Sequence, residues 1–546
     1  MVYLSTMLIA AQHLSKTIGS KTLFTDLDIH IAPKEKVALI GRNGEGKSTL
    51  MNILGGIDTD FQGEIVRKKN LRTILTRQEH LTDNKMSALE YILDSVPHYT
   101  EYEKVLADFE KGHHEDLHLY TTAMEYFSEN GYYYIKDLIM ATLADFQIDN
   151  ETANNPLVTL SGGEKRFVEL ARMMYSQAEL LLIDEPTNHM DYVGKEQFIA
   201  WMSMVEEGIL VVTHDRDVLA NVDRIIELKD KTISSYKGNY DAYLTQNTAQ
   251  TTNSVILYQN QLKKLKEAKE RVSWGLQMRA KSKAWKIRYD HWVKDYEKIK
   301  AETVKPSFWI DQESVEGLDK RVTDSYHKFK EKNVNIAIPV STDRISELVA
   351  VKDLSLGYDH PLFTGKTFKV GSEDRVFIKG RNGAGKSTLV RTIMAQYKGE
   401  KPAAKLYDGQ IKVGTMTRIG EYEQEINSQY LPLTLEVAVH KVYEEHDIPA
   451  DREMVMTTLS RYLFDAKVDS KIKVENLSGG QKARFQLIKM FANKPNLLIL
   501  DEPTNHLDLP SIEELENALL SYTGGILYIS HDSSFIKKMG GEVIEI

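Results

Sequence analysis

The sequence is defined first by what it lacks: it has no cysteine and no long apolar run. The missing cysteine excludes disulfides, cysteine-ligated zinc and thiol chemistry, and it suits a reducing compartment. No stretch approaches the roughly 18–20 apolar residues of a transmembrane helix. No lysine or arginine precedes Lys16, unlike the start of a signal peptide. We therefore expect a cytoplasmic protein without a membrane segment.

The bulk composition is that of an ordinary globular protein. The 546 residues are 42% apolar and 27% charged, a balance that allows large buried cores. The length predicts more than two small domains. The formal net charge of −10 and the sequence pI of about 5.9 argue against nucleic-acid binding by the chain as a whole.

The chain contains two copies of one set of motifs, which sets its architecture. GRNGEGKST at 41–49 recurs as GRNGAGKST at 380–388, LSGGE at 160–164 as LSGGQ at 477–481, LLIDEPTNHMD at 181–191 as LILDEPTNHLD at 498–508, and VVTHD at 211–215 as YISHD at 528–532. The copies predict domains at about 1–243 and 346–546, joined by a linker at 244–345. The first copy is longer between Gln78 and Ser161, and we expect a helical hairpin at about 98–130 to account for this.

In each copy an apolar strand leads directly into G-x-x-x-x-G-K-S and then a helix, which is the context of a phosphate-binding loop in an α/β fold. Backbone N–H groups and the helix N-terminus converge on phosphates in such loops. We expect Lys47 and Lys386 to reach the β- and γ-phosphates of ATP, and Ser48 and Ser387 to bind Mg²⁺. The full predicted sets are Gly41, Asn43, Gly44, Gly46, Lys47, Ser48 and Thr49, and Gly380, Asn382, Gly383, Gly385, Lys386, Ser387 and Thr388.

Two acidic residues follow a second buried strand in each copy. The uninterrupted apolar runs before them are typical of parallel strands covered on both faces. We expect Asp184 and Asp501 to hold Mg²⁺ through water. Glu185 and Glu502 are predicted to polarise the attacking water.

Further polar residues recur at matching positions. His214 and His531 follow another strand in each copy, and we expect them to contact the γ-phosphate. Gln78 and Gln424 are candidates for sensing Mg²⁺ and the attacking water; the alternative for each is a surface glutamine.

The LSGGE and LSGGQ blocks each precede a helix and offer a hydroxyl and N–H groups to a phosphate, through Ser161, Gly162, Gly163 and Ser478, Gly479, Gly480. With these blocks the chain resembles the ABC ATPase superfamily over both domains. The resemblance implies that the copies pair head to tail within a monomer, so that Lys47 shares one ATP with Ser478 and Lys386 shares the other with Ser161. ATP then holds the copies together, and hydrolysis releases them.

The two predicted ATP sites differ where an aromatic ring stacks on adenine. Tyr358 in LSLGYD fits that role, whereas the aligned residue of the first copy is Ile18 in LSKTIG. An aliphatic side chain lacks the stacking contribution. We therefore expect weaker or less adenine-selective binding at the Lys47 site.

EPTNHMD, EPTNHLD and the segment KGNYDAYL at 237–244 resemble the ABC-F group of this superfamily. That resemblance implies two ATPase domains without membrane domains, and binding to the ribosome near the tRNA exit site with ATP bound. It further implies that the linker reaches the P-site tRNA and the 23S rRNA of the peptidyl transferase centre.

The linker supports this interpretation through its charge. Residues 256–333 hold 19 Lys and Arg against 12 Asp and Glu, and the linker holds four of the five tryptophans. Basic residues bind phosphate and aromatic rings stack on exposed bases. The predicted RNA contacts are Arg279, Lys281, Lys283, Trp285, Lys286, Arg288 and Trp292. The alternative is a solvated helical stalk whose aromatic residues only join two helices.

The linker is predicted to pair a helix at about 245–272 with another at about 308–333, leaving 273–305 as an elaborated tip bounded by Gly275 and Pro306. A large tip resembles the antibiotic-resistance members of the ABC-F group, so we expect protection of ribosomes from peptidyl transferase drugs. Three alternatives stay open: a housekeeping factor for stalled ribosomes, the ATPase subunit of a membrane transporter, and a DNA-handling ATPase. The absence of cysteine and the contiguous ATPase copies argue against the last, and we expect no DNA partner.

Overall fold

The expected α/β fold is present in both copies. The computed structural model describes residues 7–19, 21–76, 85–111, 116–188, 190–280, 282–302, 347–423, 426–462, 464–477, 479–505 and 507–546. The chain divides into two compact units. Met1–Asn239 and Ile336–Ile546 form one unit, which contains both ATPase copies, and Tyr240–Asn335 forms the other.

The first copy contains nine strands and nine α-helices within its described residues. The strands are β1 Ile9–Ile18, β2 Lys21–Ile31, β3 Lys36–Gly41, β4 Gln62–Arg67, β5 Thr73–Leu75, β6 Leu180–Asp184, β7 Gly208–Val212, β8 Arg224–Lys229 and β9 Thr232–Lys237. The helices are α1 Lys47–Leu54, α2 Ala88–Ser95, α3 Tyr99–Glu110, α4 Leu117–Glu129, α5 Ile135–Asp145, α6 Asn150–Asn154, α7 Gly162–Tyr175, α8 Tyr192–Met204 and α9 Arg216–Leu219.

The main sheet of the first copy has the order β5-β6-β7-β3-β8-β9 and is parallel except for β9, which runs antiparallel to β8. A second, antiparallel sheet has the order β2-β1-β4. The central strands are apolar on both faces because helices or the second sheet cover them, and Val37–Ile40 are fully buried. Since β6, β7 and β3 are neighbours, their carboxyl ends meet at one edge of the sheet, where ligands bind in such folds.

The linker unit contains two helices in its described part, α10 Tyr240–Met278 and α11 Lys283–Glu302. The 39 residues of α10 span roughly 58 Å at 1.5 Å per residue. The prediction that the first linker helix ends at about 272, with Gly275 as a boundary of the tip, is wrong, because α10 continues through this glycine to Met278. A Cβ at Gly275 would lie 2.9 Å from the Trp292 ring, so the missing side chain allows the two helices to approach. The predicted helix at 308–333 lies outside the described residues.

The second copy repeats the arrangement. Its strands are β10 Val349–Gly357, β11 Pro361–Val370, β12 Arg375–Lys379, β13 Lys405–Val413, β14 Ile419–Tyr422, β15 Leu497–Asp501, β16 Gly525–Ile529 and β17 Glu542–Glu545. Its helices are α12 Lys386–Lys398, α13 Leu435–Glu444, α14 Arg452–Arg461, α15 Gly479–Phe491, α16 Leu509–Leu520 and α17 Ser533–Met539. The main sheet is parallel with the order β14-β15-β16-β12-β17, and the antiparallel sheet has the order β11-β10-β13.

The segment predicted as a helical hairpin at about 98–130 contains α3 and α4, which pack through aromatic rings. Tyr99 stacks on Phe127 with 5.3 Å between ring centroids, and Phe109 stacks on Tyr120 at 3.7 Å. None of the helices in the described ranges is long and apolar enough to cross a membrane.

Candidate active sites

The first phosphate loop connects β3 to α1. Its last glycine, Gly46, has a φ of 105°, a left-handed conformation that favours glycine and turns the chain into the helix. A Cβ at Gly41 would lie 2.4 Å from the Leu228 carbonyl oxygen, so this position also requires glycine. The buried Lys47 Nζ donates to the carbonyl oxygens of Gly41 at 2.7 Å and Arg42 at 3.1 Å, which holds the ammonium inside the loop.

The second loop, between β12 and α12, has the same geometry. Gly385 has a φ of 102°, and Lys386 Nζ donates to the carbonyl oxygens of Gly380 at 2.8 Å and Arg381 at 2.9 Å. The two predicted phosphate-binding lysines therefore occupy equivalent, buried positions.

At the first site, the predicted carboxylates and histidine meet at the carboxyl ends of β6 and β7. Asp184 pairs with Val212 in the sheet register, and Glu185 follows with a φ of 46°. His214 Nε2 lies 3.6 Å from Glu185 Oε1, and neither nitrogen of this buried ring has a hydrogen-bond partner among the residues that the structure describes. A buried polar ring directed into a cavity is what a phosphate contact requires.

The equivalent groups meet at the second site at the ends of β15 and β16. His531 Nε2 lies 3.2 Å from Glu502 Oε1, and the His531 amide donates to Glu502 Oε2 at 3.2 Å. Burial lowers the pKa of His531 to about 3, so the ring is neutral near pH 7.

Burial also raises the pKa values of both candidate base glutamates. The pKa of Glu185 rises to about 8, although the charge of Lys47 opposes the rise, and the pKa of Glu502 is raised for the same reason. A carboxyl group with a pKa near the working pH is suited to general-base chemistry.

This shift predicts a pH dependence at the first site. ATP hydrolysis at the Lys47 site should rise from about pH 6 to about pH 9 as Glu185 loses its proton and gains the ability to act as a base. Burial lowers the pKa of His214, so the imidazole stays neutral over this range and does not supply the rise. The measurement is site-resolved ADP formation against pH. The Glu185→Gln variant should lose the rise, and a flat or falling profile in the parent would contradict the prediction.

The residues of each candidate magnesium site fit a hard cation. Burial raises the pKa of Asp184 and the Ser48 hydroxyl opposes the rise, and burial likewise raises the pKa of Asp501 against the effect of the Ser387 hydroxyl. Mg²⁺ prefers such oxygen ligands and usually completes its shell with water and phosphate oxygens rather than with a protein cage. Each hydroxyl–carboxylate pair is therefore suited to the predicted role.

A cavity of about 810 Å³ brings the second phosphate loop together with the signature block of the first copy. Lys386 and Ser387 line one side, and Ser161, Gly162 and Gly163 line the other. Ser161 caps α7 through a reciprocal pair of hydrogen bonds with Glu164, which fixes the block at the helix N-terminus. Residues of both copies thus form this cavity, as the head-to-tail pairing requires.

A second cavity, of about 780 Å³, contains the first phosphate loop. Lys47, Ser48, Asp184, Glu185 and His214 line it from the first copy. Thr504, Asn505, Leu507 and Ile512 line it from the second copy. Ser478, the signature serine predicted to face Lys47, lies outside the described residues, as do Gln78, Gln424 and Lys281; their predicted roles stay predictions.

The sequence reasoning missed two aspartates that join the copies. Asp508 Oδ2 accepts from the Asn43 amide at 3.2 Å, and Asp191 Oδ2 accepts from the Asn382 amide at the same distance. Each aspartate thus contacts the phosphate loop of the other copy. The signal was present, because both end the repeated EPTNH blocks and are separated by the offset that relates those blocks.

A cationic residue beside the first site was also missed. Arg166 of α7 lines the Lys47 cavity, where it is subject to the charges of Asp184 and Glu185. Its counterpart in the second copy is Ala483. The two sites therefore differ in local charge as well as in the adenine region.

The residues aligned for adenine contact lie where the sequence predicts. Ile18 lines the Lys47 cavity and Tyr358 lines the Lys386 cavity, and about half of each side chain is exposed. The Tyr358 carbonyl accepts from the Tyr407 hydroxyl at 2.8 Å, which anchors its backbone.

The Ile18→Tyr variant should strengthen ATP binding at the Lys47 site about two- to tenfold, because aromatic stacking adds about 0.5–1.5 kcal/mol. Nucleotide affinity at each site, measured by photo-crosslinking, checks this. The matched Tyr358→Ile variant should weaken the Lys386 site by a similar factor. A change of less than about twofold in both variants would contradict the asymmetry.

Comparison with known proteins identifies the family. A family model described as "ABC transporter" matches residues 24–188 and 363–505. The chain belongs to the ABC transporter family. A second model of the same description matches residues 226–306, which include most of β8, all of β9 and the described linker helices. The two ABC ATPase domains make the chain an ATP hydrolase.

Relatives of this ABC ATPase align over nearly its whole length. It is 29% identical to "Putative ATP-binding protein YdiF" of Bacillus subtilis, with 99% of this chain and 80% of that protein covered. It is 27% identical to "ABC transporter F family member 2" of Arabidopsis thaliana, covering 98% and 76%. It is 28% identical to "ATP-binding protein Uup" of Haemophilus influenzae, covering 95% and 76%.

Solved structures share the fold of this ABC ATPase. The structure named "RNase-L Inhibitor" matches with a TM-score of 0.56 at 15% identity, covering 98% of this chain and 87% of that one. The archaeal ribosome recycling factor aABCE1, in complex with the ribosomal stalk protein aP1, matches with a TM-score of 0.55 at 16% identity and the same coverage. These likenesses establish the arrangement of two tandem ABC ATPase domains.

Proposed function

We propose that this ABC ATPase is an ABC-F factor that binds the ribosome with ATP bound and acts on it through its helical linker. The observation that carries the proposal is the basic turn between α10 and α11. Arg279, Lys283, Lys286 and Arg288 are exposed around this turn. Such a cluster on an otherwise acidic protein favours a local contact with RNA phosphates.

The chemistry of the ATP sites supplies the switch in this proposal. Lys47 and Lys386 bind the β- and γ-phosphates, while Glu185 and Glu502 polarise the attacking water. Each serine–aspartate pair would hold Mg²⁺, which would supply neutralisation of the phosphate charge. Because both copies line each cavity, the γ-phosphate favours their pairing, and its loss on hydrolysis weakens the pairing and releases the factor.

The linker tryptophans also have a structural role, because their rings pack against one another. Trp274 contacts Trp285 edge to face at 5.3 Å and Trp292 at 6.0 Å, so these rings join α10 to α11. Arg288 lies over the Trp285 ring at 5.1 Å. RNA contact by Trp285 and Trp292 remains a prediction, and the exposed cations are the better residues to vary.

The finer role that we propose is protection of the ribosome from drugs of the peptidyl transferase region, with the linker at the P-site tRNA and the 23S rRNA. The support is the resemblance to ABC-F proteins together with the long α10 and the basic turn that follows it. A housekeeping role on stalled ribosomes and a role as a transporter subunit are outcomes of the tests below.

The deciding experiment is co-sedimentation of the Glu185→Gln/Glu502→Gln variant with ribosomes. With ATP the variant should pellet with ribosomes, and without nucleotide it should stay in the supernatant. Replacing Arg279, Lys283, Lys286 and Arg288 by Gln should weaken pelleting at least tenfold and reduce its dependence on salt. A matched control replaces Lys263, Lys264, Lys266 and Lys269 of α10 by Gln, and this should pellet nearly as well as its parent. ATP-independent pelleting, or none, would overturn the proposal.

Drug susceptibility then separates the finer roles. Expression of the parent chain should raise the inhibitory concentration of at least one peptidyl transferase drug, and the basic-turn variant should lose this effect. Unchanged susceptibility to all such drugs, with ATP-dependent ribosome binding retained, would leave the housekeeping role.

A further inference from the structure

One buried cation lies between the two ATP sites and joins their histidine loops. Lys195, in the first turn of α8, is only 5% exposed. Its Nζ donates to the carbonyl oxygen of His531 at 2.6 Å, which is a backbone group of the Lys386 site. It also lies 2.9 Å from Asp215 and 3.1 Å from Asp217 of the first copy. All three N–H groups of the ammonium are therefore used.

The partners of Lys195 belong to the loops that carry both candidate histidines. Asp215 directly follows His214 of the Lys47 site and caps α9 by accepting from the Asp217 amide. Asp217 in turn accepts from the Ser533 hydroxyl at 2.8 Å. The first copy thus holds the His531 loop at two points, the His531 carbonyl and the Ser533 side chain, and the same ammonium is bound to the loop that follows His214.

Lys195 remains charged in this setting. Burial would lower its pKa, but the charges of Asp215 and Asp217 outweigh that effect and raise the pKa above its ordinary value. A buried cation is costly unless it is fully paired. An apolar contact between the copies would cost less free energy than this buried charge. The presence of the charge therefore indicates that the contact must have a fixed direction, as a hydrogen bond to the His531 carbonyl oxygen has.

The second copy does not repeat this arrangement. The offset that relates Asp191 to Asp508 places Ile512 opposite Lys195 and Ser534 opposite Asp217. Ile512 is 2% exposed and lines the Lys47 cavity without a polar group to offer. The His214 loop is held differently, through Arg216, whose guanidinium donates to Glu516 at 2.8 Å. Among the described residues, a lysine of one copy therefore donates to the histidine carbonyl of the other copy only at the Lys386 site.

We propose that Lys195 is a positioning residue for hydrolysis at the Lys386 site and couples that site to the state of the Lys47 site. Its ammonium fixes the His531 backbone, and hence the ring beside Glu502, relative to the loop that carries His214. A movement of that loop when the Lys47 site binds or hydrolyses ATP changes the position of the His531 carbonyl. The coupling rests on the pairing of the two copies and does not depend on ribosome binding.

The test uses the full chain without ribosomes and a site-resolved single turnover. Photoactivatable azido-ATP is bound, the reaction is stopped and cross-linked, and ADP and ATP are quantified on peptides of each phosphate loop. Lys195→Met should lower the rate of ADP formation at the Lys386 site about tenfold, within the range of measured coupling energies, and change the Lys47 site less than about twofold. The ATP concentration for half-saturation should change less than about twofold at both sites.

Two variants distinguish positioning from simple loss of contact. Lys195→Arg keeps the charge, and its rate of ADP formation at the Lys386 site should lie within about threefold of the parent rate. The paired Arg216→Met/Glu516→Leu variant removes another ion pair between the copies. It should not lower the rate of ADP formation at the Lys386 site more than the rate at the Lys47 site. Should Lys195→Met fail to fold, Ser533→Ala removes one contact of the same loop and should lower the Lys386 site about two- to threefold. Equal losses at both sites, an unchanged Lys386 site, or a loss of ATP affinity instead of rate would overturn the proposal.

Discussion

The Glu185→Gln/Glu502→Gln variant is expected to hydrolyse ATP about a thousandfold more slowly than the parent while it still binds ATP. General-base assistance contributes roughly 10²–10⁴-fold to such reactions, and an amide cannot accept the proton of the attacking water. The glutamine side chain has nearly the same size, so the buried environment of each site is preserved. Phosphate release at saturating ATP and nucleotide retention after gel filtration measure the two effects.

The matched control for this prediction is Glu196→Gln, an exposed glutamate on α8 of the same sequence region. It should leave the rate within about twofold of the parent. A double variant that keeps more than a tenth of the parent rate would show that neither glutamate acts as the base, and would direct attention to His214 and His531.

The chemistry of each half-site could be predicted from the sequence because it depends on contiguous motifs. The strand, loop and helix that position Lys47 follow from an apolar run and three glycines, and the same pattern recurs at Lys386. The carboxylates Asp184 and Glu185 follow from a second apolar run. Since parallel strands end at one edge of a sheet, adjacency in space was predictable once the strands were recognised.

The contacts between the copies could not be predicted in this way. In the sequence Lys195 is one polar residue on a helix. Its partners at 215, 217 and 531 do not recur at a regular spacing from it, so no sequence pattern indicates the contact. The end of α10 was mispredicted for a related reason. Glycine usually weakens a helix, but Gly275 faces the Trp292 ring, and packing against α11 outweighs the local preference.

The second large effect concerns the sharing of each site by both copies. Ser161 belongs to the first copy but lines the cavity of Lys386. Ser161→Asp keeps a good helix cap, because aspartate is as effective as serine at that position, and adds a negative charge facing the γ-phosphate. ADP formation at the Lys386 site should therefore fall about a hundredfold, whereas the Lys47 site should change less than about threefold.

Ser87→Asp provides the matched control. Ser87 caps α2 with the same reciprocal hydrogen bonds to a glutamate, but it lines neither ATP cavity. This variant should leave both sites within about twofold of the parent. The reciprocal Ser478→Asp variant, from the equivalent position in the sequence, should lower the Lys47 site and spare the Lys386 site.

The most direct test of two ATP sites shared between the copies is site-resolved ADP formation in the Ser161→Asp chain. The geometry predicts that ADP formation is lost at the phosphate loop of the second copy and is nearly unchanged at the phosphate loop of the first copy. Loss confined to the Lys47 loop would mean that each signature block serves its own copy, and it would contradict the shared sites.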